Sequence, residues 1–143
     1  APKKGNVAAS LTNEDYIDTN GVEQIVMDKT SDTILLDGRP EKQFWGEEKH
    51  PKVLATGHIP GATLLTQSNA YDEISNKLKP TNMLNEIYGD MRSKPVVSYC
   101  NTGHWAATVW FGLSEIAQIP NVKMYDGGMT HWTSNPKRKV DLG

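Results

Sequence analysis

Cys100 is the only cysteine of this 143-residue chain, and its surroundings favour nucleophilic chemistry. It follows a β-branched and aromatic run, 95–99, that predicts a buried strand. An apolar stretch with helical periodicity, 107–119, comes soon after it. In a turn from strand to helix, backbone N–H groups and the helix dipole both favour negative charge, and so they favour the reactive thiolate. The alternative is a buried free cysteine that acts as a small hydrophobic residue.

The elements around this cysteine predict an α/β domain. Short apolar runs predict strands at 33–37, 62–65, 95–99 and 122–125. Helical spacing predicts helices at 19–29, 69–75, 82–88 and 107–119, and a short helix after the Gly127-Gly128 pair. Because strands alternate with helices, we expect a parallel sheet, with Asp37 and Cys100 at carboxyl ends of strands, where such sheets bind ligands.

Four motifs, in order along the chain, resemble those of rhodanese-type sulfurtransferases. They lie at 33–39, 57–62, 100–106 and 124–132. The resemblance spans residues 16 to 133 and is closest to the active C-terminal domain of tandem thiosulfate or 3-mercaptopyruvate sulfurtransferases. It implies a three-layer α/β domain, a central parallel sheet of about five strands with helices on both faces. It also implies a short first strand at 16–18 and a single rhodanese-like catalytic domain at 15–143. The small, polar residues of 1–14, with Pro2 and Gly5, indicate a linker or N-terminal arm.

The resemblance implies sulfur transfer through Cys100. Its thiolate takes a sulfur atom from a thiosulfate or 3-mercaptopyruvate type of donor, becomes a persulfide and passes the sulfur to a thiol or cyanide acceptor. Gly103 would let the backbone curl so that its amides stabilise the anion, and Thr102 can add a hydroxyl donor. His104 is expected at the rim of the pocket or as a donor to the anion. The expected substrate-binding residues are Asn101, Thr102, Gly103, His104, Trp105 and Arg39.

Arg39 has two interpretations. It can bind the anionic donor, or it can pair with Asp37 and fix the loops under the site. We expect Asp37, His58 and Ala106 to be structural, with His58 holding a turn by hydrogen bonds.

The donor stays open, because this chain departs from thiosulfate-preferring enzymes. Those enzymes carry cationic residues where this chain has Asn101, Thr102 and Gln43. The loop of mercaptopyruvate-preferring enzymes, with its glycine and serine, differs as well.

Two other functions compete with sulfur transfer. Phosphatases and arsenate reductases of a related fold close their cysteine loop on an arginine that clamps an oxyanion. This chain has Ala106 at that position, and no arginine lies between Arg92 and Arg138. A regulatory or sulfur-carrier rhodanese module is the other alternative, although such silent domains usually lack the cysteine.

Composition limits the partners. The formal net charge of −2 gives no basic surface for nucleic acid, and no apolar run reaches the ~20 residues of a membrane span. The histidines and Cys100 lack metal-ligand spacing, so we expect neither a metal nor a cofactor. A lone cysteine excludes an internal disulfide and leaves both a cytoplasmic and an exported location open. Apart from donor and acceptor, the resemblance implies one partner, an N-terminal rhodanese domain of the same parent chain.

Overall fold

The computed structural model describes residues 3–6, 8 and 13–143, and a parallel sheet forms its centre. The strands are β1 (Ile34–Asp37), β2 (Thr63–Leu64), β3 (Tyr71–Asp72), β4 (Lys77–Leu78), β5 (Val96–Tyr99) and β6 (Val122–Tyr125). The sheet has the order β2-β1-β5-β6 and all of its neighbouring strands are parallel, whereas β3 and β4 form a separate antiparallel pair. Asp37 of β1 is paired with Tyr99 of β5, so the turn after Asp37 and the segment that begins with Cys100 leave the sheet side by side.

The helices are α1 (Thr19–Met27), α2 (Glu41–Phe44), α3 (Thr81–Tyr88), α4 (His104–Phe111) and α5 (Gly128–Trp132). Short 3-10 turns lie at Asn13–Asp15, Gln67–Ala70 and Gly89–Met91. A π-helical turn, Gly112–Ile116, continues α4, so the expected helix at 107–119 is a shorter α-helix with a wider last turn.

Two apolar layers cover the two faces of the sheet. On one face Leu36 of β1 packs in a cluster with residues of α3 and α4. On the other face Leu35 packs in a cluster with residues of α1 and α5. Successive side chains of a strand point to opposite faces, and both faces of these strands are apolar because helices cover both. The predicted fold class, a parallel α/β domain with helices on both faces, is confirmed.

In the part of the chain that the structure describes, the central sheet has four strands, whereas the resemblance implies about five. The expected first strand, 16–18, makes a single parallel bridge between Tyr16 and Met124, with one N–H of Ile17 donating to the Met124 carbonyl at 3.1 Å. The carboxylate of Asp18 already accepts a hydrogen bond from the N–H of Gly21, at 2.8 Å, and caps α1. The chain therefore turns into a helix before a strand can lengthen.

The helix expected at 69–75 is also wrong. The structure has the 3-10 turn Gln67–Ala70 and then the β3–β4 hairpin there. The Asp72 carboxylate accepts a hydrogen bond from the N–H of Ser75 at 2.7 Å, and Asn76 adopts a positive φ of 53°. This hydrogen bond and the positive φ close a turn, and a turn at these residues excludes a helix there. Of the arm expected at 1–14, residues 1, 2, 7 and 9–12 lie outside the described residues, and the arm stays a prediction.

Candidate active site

Cys100 directly follows β5 and is buried, with 2% of its surface exposed. It packs with Ala106 and Met124, and Trp110 lies against this group. The carbonyl of Cys100 accepts a hydrogen bond from the N–H of Met129 at 2.8 Å. The first turn of α5 therefore holds the main chain of the nucleophile candidate in place.

The segment from Cys100 to Ala106, here named the cysteine loop, has unused backbone donors. Gly103 adopts φ +87° and leads into α4, and its carbonyl accepts the N–H of Ala107 at 2.8 Å. Within the described residues, no backbone N–H of residues 101–106 donates a hydrogen bond to a protein acceptor. Unpaired N–H groups at the start of a helix attract anions. The loop can therefore stabilise negative charge without a cationic side chain.

Glycine at position 103 is favoured by its backbone angle. The positive φ disfavours any residue with a side chain. A Cβ there would also overlap with the carboxylate of Asp126, the exposed residue after β6, and that side chain would have to move. The backbone angle therefore accounts for glycine at the point where the loop turns into α4.

Gly128 has a comparable role that the sequence did not reveal. Its φ is +53°, and a Cβ there would overlap with the carbonyl of Cys100 and with the main chain of Asn101. Because Gly128 has no side chain, α5 can approach the cysteine loop closely. The N–H groups of Met129 and Thr130 then donate to the carbonyls of Cys100 and Asn101. The Gly127-Gly128 pair predicts a turn, but no pattern in the sequence indicates that this turn contacts the loop.

Asn101 is almost completely buried, at 3% exposure. Its carbonyl accepts the N–H of Thr130 at 3.1 Å, and its side-chain Nδ2 donates to Oε1 of Gln43 at 2.8 Å. Its Oδ1 is buried and has no hydrogen-bond partner among the described residues. In the sequence, Gln43 stands out only as the absence of a cation, and the structure places its side chain against the loop.

Three residues of the cysteine loop reach the surface, Thr102, His104 and Trp105. Thr102 is half-buried, and its Oγ1 lies 3.4 Å from Nδ1 of His104, which is exposed. Trp105 is 37% exposed. This placement is compatible with a contact role for all three.

Arg39 is buried, with 1% exposure, and so is Asp37. The Nε of Arg39 donates to Oδ1 of Asp37 at 2.9 Å, and its Nη2 donates to Oδ2 at 2.6 Å. The same Nη2 donates to the carbonyl of Gly57 at 2.8 Å. The guanidinium is therefore bound by groups of the protein and withdrawn from solvent. These contacts favour the scaffold interpretation of Arg39 over the expected substrate contact.

His58 lies beside the same turn and is also mostly buried. Its Nδ1 lies 2.9 Å from the carbonyl of Phe44, and its ring stacks on the Phe44 ring with 3.8 Å between centroids. Its main chain pairs with Asp141 through two hydrogen bonds of 2.9 Å. These contacts agree with a structural role for His58.

Tyr99 and Ala106 anchor the two ends of the cysteine loop. The hydroxyl of Tyr99 accepts the N–H of Ile59 at 3.2 Å, and burial together with the Asp37 carboxylate raises the pKa of Tyr99 well above 10. The phenol is therefore neutral at ordinary pH. Ala106 is fully buried, and its carbonyl accepts the hydroxyl of Ser98 at 3.1 Å.

Neither a metal cluster nor a membrane span occurs in the described part of the chain. Residues 3–6, 8 and 13–143 contain no group of three histidine, cysteine or carboxylate side chains able to hold a metal ion. None of their helices is long and apolar enough to cross a membrane. A cavity of about 720 Å³ lies at the amino ends of β5 and β6, away from Cys100.

The chain has recognisable relatives. The sequence profile of the Rhodanese-like domain family matches residues 20–135. The 3-mercaptopyruvate sulfurtransferase of Escherichia coli (strain K12) is 35% identical over 111 residues, which are 75% of this chain and 38% of that protein. The thiosulfate sulfurtransferase of Corynebacterium glutamicum is 32% identical over 116 residues, 76% of this chain and 38% of that protein.

Solved structures support the same fold. The anaerobic ergothioneine biosynthesis enzyme of Chlorobium limicola superposes with a TM-score of 0.80 at 22% identity, over 91% of this chain and 32% of that one. The chain thus spans less than half the length of the relatives that it matches. The matched profile, the two sulfurtransferase relatives and the fold agree, and the chain belongs to the family of rhodanese-like domains.

Proposed function

We propose that the protein is a rhodanese-type sulfurtransferase in which Cys100 carries the transferred sulfur as a persulfide. The observation that supports this most is the position of Cys100 at the base of a loop whose backbone N–H groups, those of residues 101–106, have no protein acceptor within the described residues. The names of the relatives support sulfurtransferase activity at the level of the family.

The first half-reaction loads the cysteine. With thiosulfate, the Cys100 thiolate attacks the outer sulfur, the sulfur–sulfur bond of the donor breaks, and sulfite leaves with the bonding electron pair. With 3-mercaptopyruvate the carbon–sulfur bond breaks instead, and the proton of the donor thiol ends on the carbon of pyruvate. In both cases the enzyme holds a Cys100 persulfide anion, with no change in the total charge of the reactants.

The second half-reaction transfers the sulfur from the Cys100 persulfide to the acceptor. A cyanide ion or the thiolate of an acceptor attacks the outer sulfur of the persulfide and takes it as thiocyanate or as a new persulfide. The Cys100 thiolate leaves and is ready for another donor. Throughout the cycle the sulfur that carries negative charge is held by the loop amides, which act as an oxyanion hole does for oxygen.

Four features of the chain share this work. Cys100 makes and breaks the sulfur bonds. The amides of the loop stabilise the anion, and Gly103 gives the loop its curl. The rim residues Thr102, His104 and Trp105 are placed to meet the donor and the acceptor. Asp37 and Arg39 hold the neighbouring turn, and His58 and Ala106 support the loops from within the fold.

The test is a mass measurement on the intact protein after incubation with thiosulfate or 3-mercaptopyruvate. Because the chain has one cysteine, a gain of one sulfur atom locates the persulfide without further mapping. We expect this gain in the wild type, its loss after cyanide is added, and no gain in Cys100→Ser. Thiocyanate formation by Cys100→Ser would contradict the assignment. A wild type that gains no sulfur from either donor would favour a regulatory module.

A further inference from the structure

We propose that the hydrogen bond between Gln43 and Asn101 is a positioning contact that holds the cysteine loop in its anion-binding shape. The proposal rests on the function proposed for Cys100. Asn101 is the residue next to the nucleophile, and its side chain donates to Oε1 of Gln43 at 2.8 Å. Among the described residues, this is the one side-chain hydrogen bond that joins the loop to α2.

The loop needs an external constraint. Several N–H groups that face one anion site repel one another electrostatically when no anion is bound, so an unrestrained loop would relax. From the side of α5, the N–H groups of Met129 and Thr130 hold the carbonyls of Cys100 and Asn101. Gln43 supplies a hold from the opposite side, that of β1 and α2.

The position of Gln43 is itself fixed by hydrogen bonds. It lies on the short helix α2, and its N–H donates to the carbonyl of Pro40 at 2.9 Å. Pro40 directly follows Arg39, whose guanidinium is bound to Asp37 at the end of β1. Through this contact, the end of β1 and the helix α2 hold Asn101, the residue next to Cys100, in position.

The burial of Asn101 makes this contact sensitive to substitution. Only 3% of the residue is exposed, and its Oδ1 already has no partner within the described part of the chain. Without Gln43, both polar atoms of the amide would be buried and unpaired, which costs free energy. The side chain is then driven toward solvent, and the backbone between Cys100 and Gly103 moves with it. Because Cys100 is adjacent, its reactivity changes first.

The experiment is a double-mutant cycle with Gln43→Leu, Asn101→Ala and the double variant. The readouts are the alkylation rate of Cys100 by iodoacetamide at one fixed pH, kcat and KM for sulfur transfer, and Tm. Loss of one net hydrogen bond predicts that Gln43→Leu lowers both the alkylation rate and kcat by about tenfold. The KM change should be smaller, and the double variant should lie within about twofold of the more impaired single variant.

Lys42→Ala is the matched control on the same helix. Its ammonium is 65% exposed and makes only a surface ion pair with Glu48 at 3.5 Å, so we expect no change in either rate. If Gln43→Leu does not fold, Gln43→Met takes its place with the same expected rates.

A lower Tm with unchanged alkylation rate and kcat would reduce the contact to a structural one and overturn the proposal. Multiplicative effects of the two single substitutions would overturn it as well, because the side chains would then act independently. Alkylation does not require sulfur transfer. A wild type that gains no sulfur would therefore defeat the proposed function, while the alkylation cycle still decides whether Gln43 positions the loop.

Discussion

Arg39 and Asp37 form a buried ion pair at the carboxyl end of β1, in which Nη2 of the arginine lies 2.6 Å from Oδ2 of the aspartate. The same nitrogen donates to the carbonyl of Gly57, two residues before Ile59. The N–H of Ile59 donates to the hydroxyl of Tyr99, which precedes Cys100. The ion pair thus belongs to the network that supports Cys100, although it does not reach solvent.

Arg39→Ala should destabilise the protein and lower turnover for every donor alike. Removing one member of a buried ion pair leaves the other charge uncompensated, which typically costs about 3–5 kcal/mol. Thermal or urea unfolding measures the loss, and kcat/KM with thiosulfate and with 3-mercaptopyruvate measures the turnover. The control is Lys42→Ala, which removes an exposed pair and should change stability by only about 0–1 kcal/mol. An unchanged Tm together with a KM increase for anionic donors alone would place Arg39 in the donor site.

Gly128→Ala should separate α5 from the cysteine loop. A methyl group at this position would overlap with the Cys100 carbonyl, so the hydrogen bonds from Met129 and Thr130 should be lost. We expect turnover to fall by roughly tenfold to a hundredfold, as small misplacements in active sites do. The measurements are kcat for sulfur transfer and urea unfolding.

Gly61→Ala is the matched control for that substitution. Gly61 also has a positive φ, +78°, but a Cβ there meets no atom within 4 Å. It should therefore show only the backbone strain of about 1–2 kcal/mol, with turnover unchanged. If the two variants lose equal stability and both keep their turnover, the close approach of α5 to the loop has no role in catalysis.

The sequence predicted the parts of the site that depend on local patterns. The strand before Cys100, the helix after it and the glycine between them follow from periodicity and from the demands of a tight turn. Asp37 and Cys100 were placed at the ends of parallel strands, and the pairing of Asp37 with Tyr99 brings the segments after them together.

Contacts between distant segments could not be predicted in the same way. The bond from Asn101 to Gln43 joins residues 58 positions apart, and no pattern in either segment indicates it. Gly128 gave a turn signal, but its contact with Cys100 depends on how β6 leads into α5. The resemblance implies a first strand at 16–18, and the cap of α1 by Asp18 limits that segment to one bridge, between Tyr16 and Met124.

Tyr99→Phe should change how stability depends on pH. Burial, and then the Asp37 carboxylate, raise the pKa of Tyr99 well above the value of about 10 expected in the unfolded chain. The stability that this neutral phenol contributes is fully present below pH ~10, and it is lost as the pH rises toward the folded-state pKa. At neutral pH the variant should be less stable by about 1–3 kcal/mol, because the N–H of Ile59 loses its acceptor.

The stability difference between wild type and Tyr99→Phe should therefore shrink as the solution becomes alkaline. Urea unfolding at about pH 8 and about pH 11 measures it for both proteins, around the reference tyrosine pKa. Burial also raises the pKa of Tyr88, to about 12, and that of Tyr125, but both tyrosines are present in the two proteins and cancel in the difference. A difference that stays constant with pH would show that Tyr99 ionises equally easily in the folded and unfolded states.

Thr102→Lys should raise kcat/KM for thiosulfate more than for a donor with one negative charge. Thr102 is half-buried at the rim beside His104, and the loop and Gln43 offer no cation to a doubly charged donor. An ammonium about 4 Å from a negative charge gains about 1 kcal/mol even in water, so we expect roughly a fivefold increase for thiosulfate. Gln24→Lys, which adds the same charge on the exposed side of α1, is the control and should leave kcat/KM for both donors unchanged.

Added salt should reduce the gain in kcat/KM that Thr102→Lys gives for thiosulfate, because screening weakens an exposed charge pair. Equal loss of kcat/KM for both donors would mean that the loop tolerates no long side chain at this position, and that a missing cation does not limit the use of thiosulfate.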